Sequence, residues 1–532
     1  MKTLIIGLDG GTWKVLKSLV EAGETPTLKK LMDDGYVCTL KSTIPPYTGV
    51  AWTSFATGRN PGKSGVFDFV KFKNKSYNLR VVNYKDVKCE TYFKILSNYN
   101  INSIIINLPG AFPQKLPRTI IVADFLSPTD KYFAIPKHIQ LKYENLFKKY
   151  RLSPKKEMFD QQNYLEEVLE IEEIRFKIAK SLFKNEKWKH FFYLFSGTDW
   201  ASHSALKAFY NNKNKKVKEK FIKVFRFMDE CINWFINNMD SNTNIFIMSD
   251  HGHVPRKYIF YINEWLCREG YAVRKPKKFV DPFLEIQAKR AKVKTLAMGS
   301  ILTKLAYKLS ETPLIHIMRK IHHNVRNITG ISFSYNFYSI DFQKSKAFCP
   351  VFSTFGIYLN SKSRFKDGFV DKPDELAEEI INKLRNLKLS EQRVFKGIWK
   401  KEELYYGRYT VEAPDIILLP SEGIELHIDT NVKSIYSKDT HLAGTHSTDG
   451  IFIAYGPDIK ANRDLGKSFS IMDIAPTILH MHEIPIPEEM DGRVLKEIFK
   501  ETSSVFRRNI YYKKNSQKEE IRRKIVRLKK FV

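Results

Sequence analysis

At 532 residues, 43% of them hydrophobic and 13% aromatic, the chain is too apolar to be intrinsically disordered and long enough to bury one large core or several smaller ones. Its formal charge of +30, from 88 basic and 58 acidic residues, favours nucleic acid, anionic lipid heads or phosphorylated substrates as partners, but a lysine-rich composition singles out none of them, and no specific nucleic-acid recognition is expected. Five scattered cysteines (Cys38, Cys89, Cys231, Cys267 and Cys349) without a CxxC pair argue against a disulfide framework and a zinc–thiolate site.

From the N-terminus, residues 4–8 make an apolar run that ends in Asp9; it is too short for the core of a signal peptide and reads as a buried strand. Similar runs at 103–106, 191–195, 244–248, 415–419 and 451–455 read as further buried parallel strands. Helical patterns separate them; in 164–183, Leu165, Val168, Leu169, Ile171, Ile174 and Ile178 recur at near-helical spacing. Strands alternating with helices predict an α/β fold with a mainly parallel central sheet and helices on both faces.

Strand signals stop near residue 271. The stretch 274–326 holds 13 Lys/Arg against three acids, with apolar residues at helical spacing in 298–309 and 314–325, which predicts two amphipathic helices. The tail 507–532 carries 11 basic residues and two acids. The organisation read here is an α/β domain in two parts, 1–270 and 346–500, split by a basic helical insertion or cap at 271–345 and followed by a basic tail at 501–532. Basic amphipathic helices either pack on the protein body or lie on an anionic membrane surface. No run reaches the roughly 18 apolar residues of a membrane span, so the expectation is a cytoplasmic protein, with peripheral membrane contact through the insertion and tail as the alternative use of that charge.

Several residues carry chemistry. Asp9 precedes Gly10 and Gly11 at the end of the first predicted strand, where α/β enzymes build their sites; alone it reads equally well as a turn former. Asp199 and His203 follow the run 191–195 and would share one helix face, a pairing that suits a divalent metal, although an N-cap aspartate with an incidental histidine has the same pattern. Asp250-His251-Gly252-His253 closes the run 244–248 and resembles a metal cradle. His446 is an isolated imidazole before the run 451–455. Three strand-terminal aspartates with loop histidines approach the donor set of a two-metal phosphoryl-transfer site. Thr48, in a Pro/Gly-punctuated turn before a helical stretch, supplies a hydroxyl that in isolation would be an N-cap.

The run 45–66, Pro-Pro-Tyr-Thr-Gly-Val-Ala-Trp-Thr-Ser-Phe-Ala-Thr-Gly-Arg-Asn-Pro-Gly-Lys-Ser-Gly-Val, resembles the nucleophile segment of the alkaline phosphatase superfamily. More narrowly it is similar to the type I phosphodiesterase/nucleotide pyrophosphatase branch and its phosphohydrolase/phosphomutase relatives, in which a threonine lies nine residues before a Thr-Gly pair, as Thr48 does before Thr57-Gly58. Asp9-Gly10, Asp199-x-x-x-His203, Ser249-Asp250-His251-Gly252, Gly444-Thr445-His446, the stretch 473–479 and Met490-Asp491-Gly492 follow in the family's order. The resemblance spans 1–270 and 350–500. It implies an alkaline-phosphatase-like fold and two divalent metal ions, zinc first and manganese second. One would lie on Asp199, His203 and His446, the other on Asp9, Asp250, His251 and the Thr48 oxygen. It also implies that Thr48 is the nucleophile of a hydrolase that cleaves phosphodiester or nucleotide pyrophosphate bonds through a phospho-threonine intermediate.

Two positions depart from the family pattern. Ser64-Gly65 stands where His-Gly is frequent, and no phosphate-binding Asn is identifiable after Thr48. On the same motifs, a phosphomonoesterase or phosphomutase is the alternative activity. A non-catalytic polyanion- or membrane-binding protein is the alternative class; it would be expected to lack ligands that are all present here. His253 falls outside the ligand set as the resemblance maps it.

Overall fold

The computed structural model describes residues 1–127, 132–156, 158, 160–211, 214–275, 340–389, 391–439 and 443–514. Its centre is a nine-stranded sheet of β1 (Lys2–Leu8), β2 (Tyr36–Lys41), β3 (Ser103–Ile106), β4 (Thr119–Val122), β5 (Ala134–Ile135), β6 (His190–Phe195), β7 (Thr243–Met248), β8 (Asp449–Tyr455) and β9 (Asn462–Ser470). They lie side by side in the order β9-β2-β8-β7-β1-β6-β3-β4-β5. The pairs β7/β1, β1/β6, β6/β3 and β3/β4 are parallel, as is β2/β9, whereas β8 and β5 run against their neighbours. Every residue of β6 and β7 is buried, as expected of parallel strands covered on both faces.

The predicted α/β architecture is the one observed, and the runs at 4–8, 103–106, 191–195 and 244–248 are β1, β3, β6 and β7. Two runs pair differently. Residues 451–455 belong to β8, antiparallel to both neighbours. Residues 415–419 fall in the strand Ile416–Pro420 of a separate antiparallel sheet, ordered Ala347–Phe348, Gly356–Leu359, Ile416–Pro420, Phe395–Lys400. That sheet, the helix Pro373–Arg385 and the segment from Phe260 to Ala272 enclose a second apolar core that includes Trp265, Phe348, Ile357, Ile380 and Leu418. Burial on both faces gives an antiparallel strand the same continuous apolar run as a parallel one, so the pattern does not reveal direction.

Five helices matter for the site: α1 (Thr48–Thr57), α2 (Gln161–Asn185), α3 (Gly197–Tyr210), α4 (Lys215–Asn238) and α5 (Ile474–Met481). Helix α2 covers the predicted 164–183; it packs with α3 and α4, while α1 packs with α5. Helix α1 ends at Gly58 in the left-handed conformation, φ 62°, and the Gly58 carbonyl accepts from Asp491 N (2.8 Å) and Gly492 N (3.1 Å). The Asp491 carboxylate accepts from Asn60 N (2.9 Å) and Asn60 Nδ2 (3.0 Å). The Thr-Gly-Arg-Asn and Met-Asp-Gly motifs are therefore two halves of a clasp that ties the chain's late segment to the end of α1.

The two basic amphipathic helices expected in 298–309 and 314–325 lie outside the described residues, as does the basic tail beyond residue 514. Among the described residues no helix is long and apolar enough to cross a membrane.

A buried polar knot sits at the amino end of the sheet. Thr3 Oγ1 is 2.8 Å from His190 Nδ1 and 2.9 Å from His482 Nε2, and Tyr92 OH is 3.0 Å from His190 Nε2. Burial holds His190 well below its ordinary pKa and lowers His482 to about 3. The unfolded chain therefore binds protons that the folded chain refuses. Their contribution to stability is complete above the unfolded histidine pKa near 6.5 and is lost as pH falls below it. In urea unfolding monitored by circular dichroism, stability is expected to decline below about pH 6.5 by up to about 1.4 kcal/mol per pH unit for each histidine. His482→Gln should flatten part of that decline.

Candidate active site

The carboxyl edge of the sheet assembles the site. Asp9 immediately follows β1, with its N–H on the Phe195 carbonyl of β6 (3.0 Å) and its own carbonyl accepting from Thr198 Oγ1 (2.6 Å). Asp250 and His251 follow β7, where Ser249 Oγ donates to Gly11 O (2.8 Å) and accepts from Ile451 N (2.9 Å), tying the ends of β1, β7 and β8 together. Asp199 and His203 lie in α3 one turn apart, as their spacing predicts, but Ser196 holds the cap position and Asp199 stands inside the first turn. Thr48 is the first residue of α1, after Tyr47 at the cap; it is not an N-cap, and its hydroxyl lies at the positive end of the helix. His446 comes from an antiparallel ribbon, Gly252–Pro255 with Gly444–Ser447, in which it stands directly across from His253.

Six of the seven predicted residues, with His253, fall into two groups of donor atoms, and the seventh, Thr48, lies beside the first. Asp9, Asp250 and His251 form one, and Asp199, His203, His253 and His446 form the other; within each group the ligand-capable atoms lie within 4.8 Å of one another. In the first, His251 Nε2 is 3.3 Å from Asp250 Oδ2, 3.7 Å from Asp9 Oδ1 and 3.1 Å from Thr48 Oγ1. In the second, Asp199 Oδ1 is 3.3 Å from His203 Nε2, 3.4 Å from His253 Nε2 and 3.6 Å from His446 Nε2. The rings of His251 and His446 stack at 3.8 Å, so the groups adjoin.

Three of the four site imidazoles are oriented through their far nitrogen. Nδ1 of His251, His253 and His446 lies on the carbonyls of Gly252 (3.2 Å), Gly10 (3.1 Å) and Pro46 (2.9 Å). A backbone carbonyl at Nδ1 fixes the proton there and leaves the Nε2 lone pair facing the donor group, the usual outer support of a metal-binding histidine. His253, part of the Asp250–His253 cradle in the sequence but outside the ligand set that the resemblance implies, joins the second group from the strand Gly252–Pro255.

Electrostatics make the site costly without cations. Burial, then Asp250 and Asp199, push Asp9 well above the usual carboxylate range, and burial raises Asp250 to about 8. Burial also pushes Asp199 up, but His203, His446 and His253 outweigh it and hold Asp199 well below that range. Burial and neighbouring imidazoles keep His251 and His253 neutral. Asp9 Oδ1, Asp199 Oδ1, Asp250 Oδ2 and His253 Nε2 are buried without a hydrogen-bond partner. Orphaned buried acceptors of this kind are rare unless something else satisfies them. Carboxylate oxygens and imidazole nitrogens at two adjoining points are what a pair of divalent cations requires, so the donor sets fit the implied metals.

Beside the second group opens a cleft of about 500 Å³, lined by Tyr47, Arg256, Phe352, Phe355 and Glu425 together with His203 and His446. Phe352 is 47% exposed at this cleft. Arg256 is paired with Glu425 and, through Nε at 3.2 Å, with Asp439. Sequence reasoning did not single out Arg256, Phe352, Phe355 or Glu425, which come from three separate segments. Ser64, at one departure from the family pattern, is buried in the short helix Pro61–Ser64 with its hydroxyl on the Pro61 carbonyl (3.4 Å).

Comparison with known proteins extends the geometry. The family model described as type I phosphodiesterase / nucleotide pyrophosphatase matches residues 3–330. No curated protein sequence matches the chain. Among solved structures, murine ectonucleotide pyrophosphatase/phosphodiesterase 5 is similar with a TM-score of 0.53 at 12% identity, over 94% of this chain and 100% of that one; an inactive form of it was solved in complex with AMP. Phosphonoacetate hydrolase from Sinorhizobium meliloti 1021, in complex with phosphonoformate, has a TM-score of 0.53 at 15% identity over 89% and 94% of the two chains. A mutant of the alkaline phosphatase PafA has a TM-score of 0.53 at 11% identity over 94% and 98%. At these identities the structural likeness establishes the fold.

Gly10 tests the packing of the site. Its φ is +63°, and a Cβ there would lie 2.4 Å from the His253 ring. Gly10→Ala is expected to cost about 1–3 kcal/mol of stability from backbone strain and to turn the His253 ring. Any rise in melting temperature on adding a divalent cation, which reports affinity by mass action, should be smaller in this variant than in the parent.

Proposed function

Because the chain belongs to the type I phosphodiesterase/nucleotide pyrophosphatase family and is a hydrolase of that type, we propose that it cleaves phosphodiester or nucleotide pyrophosphate bonds through a phospho-threonine intermediate on Thr48. The observation that carries this reading is the approach of the Thr48 hydroxyl to 3.1 Å from His251, beside one of two adjoining donor groups that hold orphaned buried carboxylate oxygens. Asp9, Asp250, His251 and the Thr48 oxygen would hold one cation, and Asp199, His203 and His446, with His253 beside them, the other. Zinc suits this mixture of imidazole and carboxylate donors, with manganese as the alternative. When bound, the two ions favour ionisation of the threonine hydroxyl and screen charge on the transferring phosphoryl group and leaving oxygen.

The protein's own groups supply the geometry. Thr48 Oγ1 forms the new bond to phosphorus as the bond to the leaving oxygen breaks on the opposite side; water then cleaves the phospho-threonine and restores the hydroxyl. The first turn of α1 presents the positive end of its dipole to the phosphoryl oxygens. The cleft between Tyr47, Phe352 and Phe355 leaves room for a second substituent on phosphorus, which favours diesters over monoesters. That an ectonucleotide pyrophosphatase/phosphodiesterase of similar fold was captured with AMP supports a nucleotide or comparable phosphate ester as substrate. The basic insertion and tail could bring the enzyme to anionic membrane, and we place it in the cytoplasm.

With zinc or manganese added, turnover of bis-p-nitrophenyl phosphate is expected to exceed that of p-nitrophenyl phosphate. Thr48→Ala should lose on the order of 10³-fold or more in kcat, as removal of a nucleophile does, while Thr48→Ser keeps measurable activity. A preference for the monoester would move the activity to the phosphomonoesterase alternative. Undiminished turnover by Thr48→Ala would refute the covalent step.

A further inference from the structure

Helix α2 was legible in the sequence only as an apolar stripe, yet it carries an ion pair, Glu172 and Arg175, whose side chains are both fully buried. Arg175 Nη1 donates to Glu172 Oε1 at 3.1 Å, and its Nη2 to the Leu152 carbonyl at 2.8 Å. Exchanging such a pair for apolar residues is often neutral or stabilising, because desolvation cancels the Coulomb gain. Stability alone is therefore a weak reason for its presence, and its contacts point elsewhere.

The carboxylate faces the start of α3, the helix that bears Asp199 and His203. Glu172 Oε1 accepts from Ser196 N at 3.1 Å, and Oε2 from Tyr193 OH at 3.3 Å. Ser196 caps α3 without a side-chain capping bond of its own, so the buried carboxylate supplies the negative charge that a helix N-terminus favours. Contact is close: a Cβ on Gly197 would lie 3.1 Å from Glu172 Cγ. The guanidinium reaches the next turn, 4.8 Å over the ring of Trp200, the residue after Asp199. From the other side Asn107 Nδ2 donates to Ser196 Oγ at 2.8 Å.

We propose that Glu172 and Arg175 are positioning residues that set the height and rotation of the first turn of α3, and through it the placement of Asp199 and His203 in one of the two cation groups. This rests on the metal-dependent reading above. The carboxylate fixes the axial position of the turn through Ser196, and the guanidinium fixes its rotation through Trp200. Groups that orient ligands from outside typically change metal affinity by ~10–100-fold when removed.

The test uses the full chain, with zinc alone as the probe in competition with a chromophoric chelator, melting curves, and kcat on bis-p-nitrophenyl phosphate. Glu172→Met with Arg175→Met removes both charges together and leaves no unpaired buried ion. It should melt close to the parent, bind zinc ~10–100-fold more weakly at one of its two sites and normally at the other, and lose kcat in proportion. Glu172→Gln with Arg175→Met, equally neutral but retaining an acceptor for Ser196, should recover much of that affinity; a merely structural role would not separate the two pairs. Trp200→Leu, with the ion pair intact, should weaken the same site and serves if the double methionine variant does not fold. Parental zinc titrations at both sites in Trp200→Leu and in whichever double variant folds would overturn the proposal. A parent protein that binds no zinc would instead refute the metal-dependent reading on which it rests.

Discussion

Three carboxylates, Asp9, Asp199 and Asp250, are buried at one edge of one sheet, and the protein around them is organised by the cost of keeping them there. Like charges removed from water raise one another's pKa, and both Asp9 and Asp250 are pushed far from their ordinary range. The histidine beside both of them, His251, is itself held neutral by burial, so it cannot supply the compensating charge. What remains is a cavity edge with orphaned acceptors aimed at common points, which divalent cations satisfy and protein side chains do not.

The topology explains how such residues come together. Parallel strands all end at the same edge, so the residues after β1, β6 and β7 emerge side by side whatever their separation in sequence. Two of the continuations, after β1 and β7, carry Asp9 and Asp250 directly; the third turns into α3 and delivers Asp199 and His203 one helical turn apart. The ribbon Gly252–Pro255 with Gly444–Ser447 adds two imidazoles from opposite strands. Thr48 arrives as the first residue of α1, whose far end is clasped by Asp491 and Gly492. The late motif therefore supports the site mechanically from the distal end of that helix.

Much of this was legible in sequence because parallel strands are short, apolar and followed by chemistry. Asp9, Asp199, His203, Asp250, His251, His446 and Thr48 could be named from strand ends, spacing and motif order. Other parts were not. The run at 415–419 carries no mark of strand direction, and it belongs to a second, antiparallel sheet. His253 repeats the two-residue period of its ribbon, but only the facing strand shows that this side of the ribbon is the site. Glu172 and Arg175 look like the polar residues of an amphipathic helix, since a buried ion pair and a solvated one are spelled alike.

By itself, the sequence determined the fold class and the donor types, because backbone periodicity and side-chain chemistry are local properties written residue by residue. Only the tertiary structure decided that His253 joins the Asp199 group, how close Thr48 comes to His251, and what holds α3 in place. Those are distances between segments 24 to 203 residues apart, set by strand order and packing, and no local pattern encodes them.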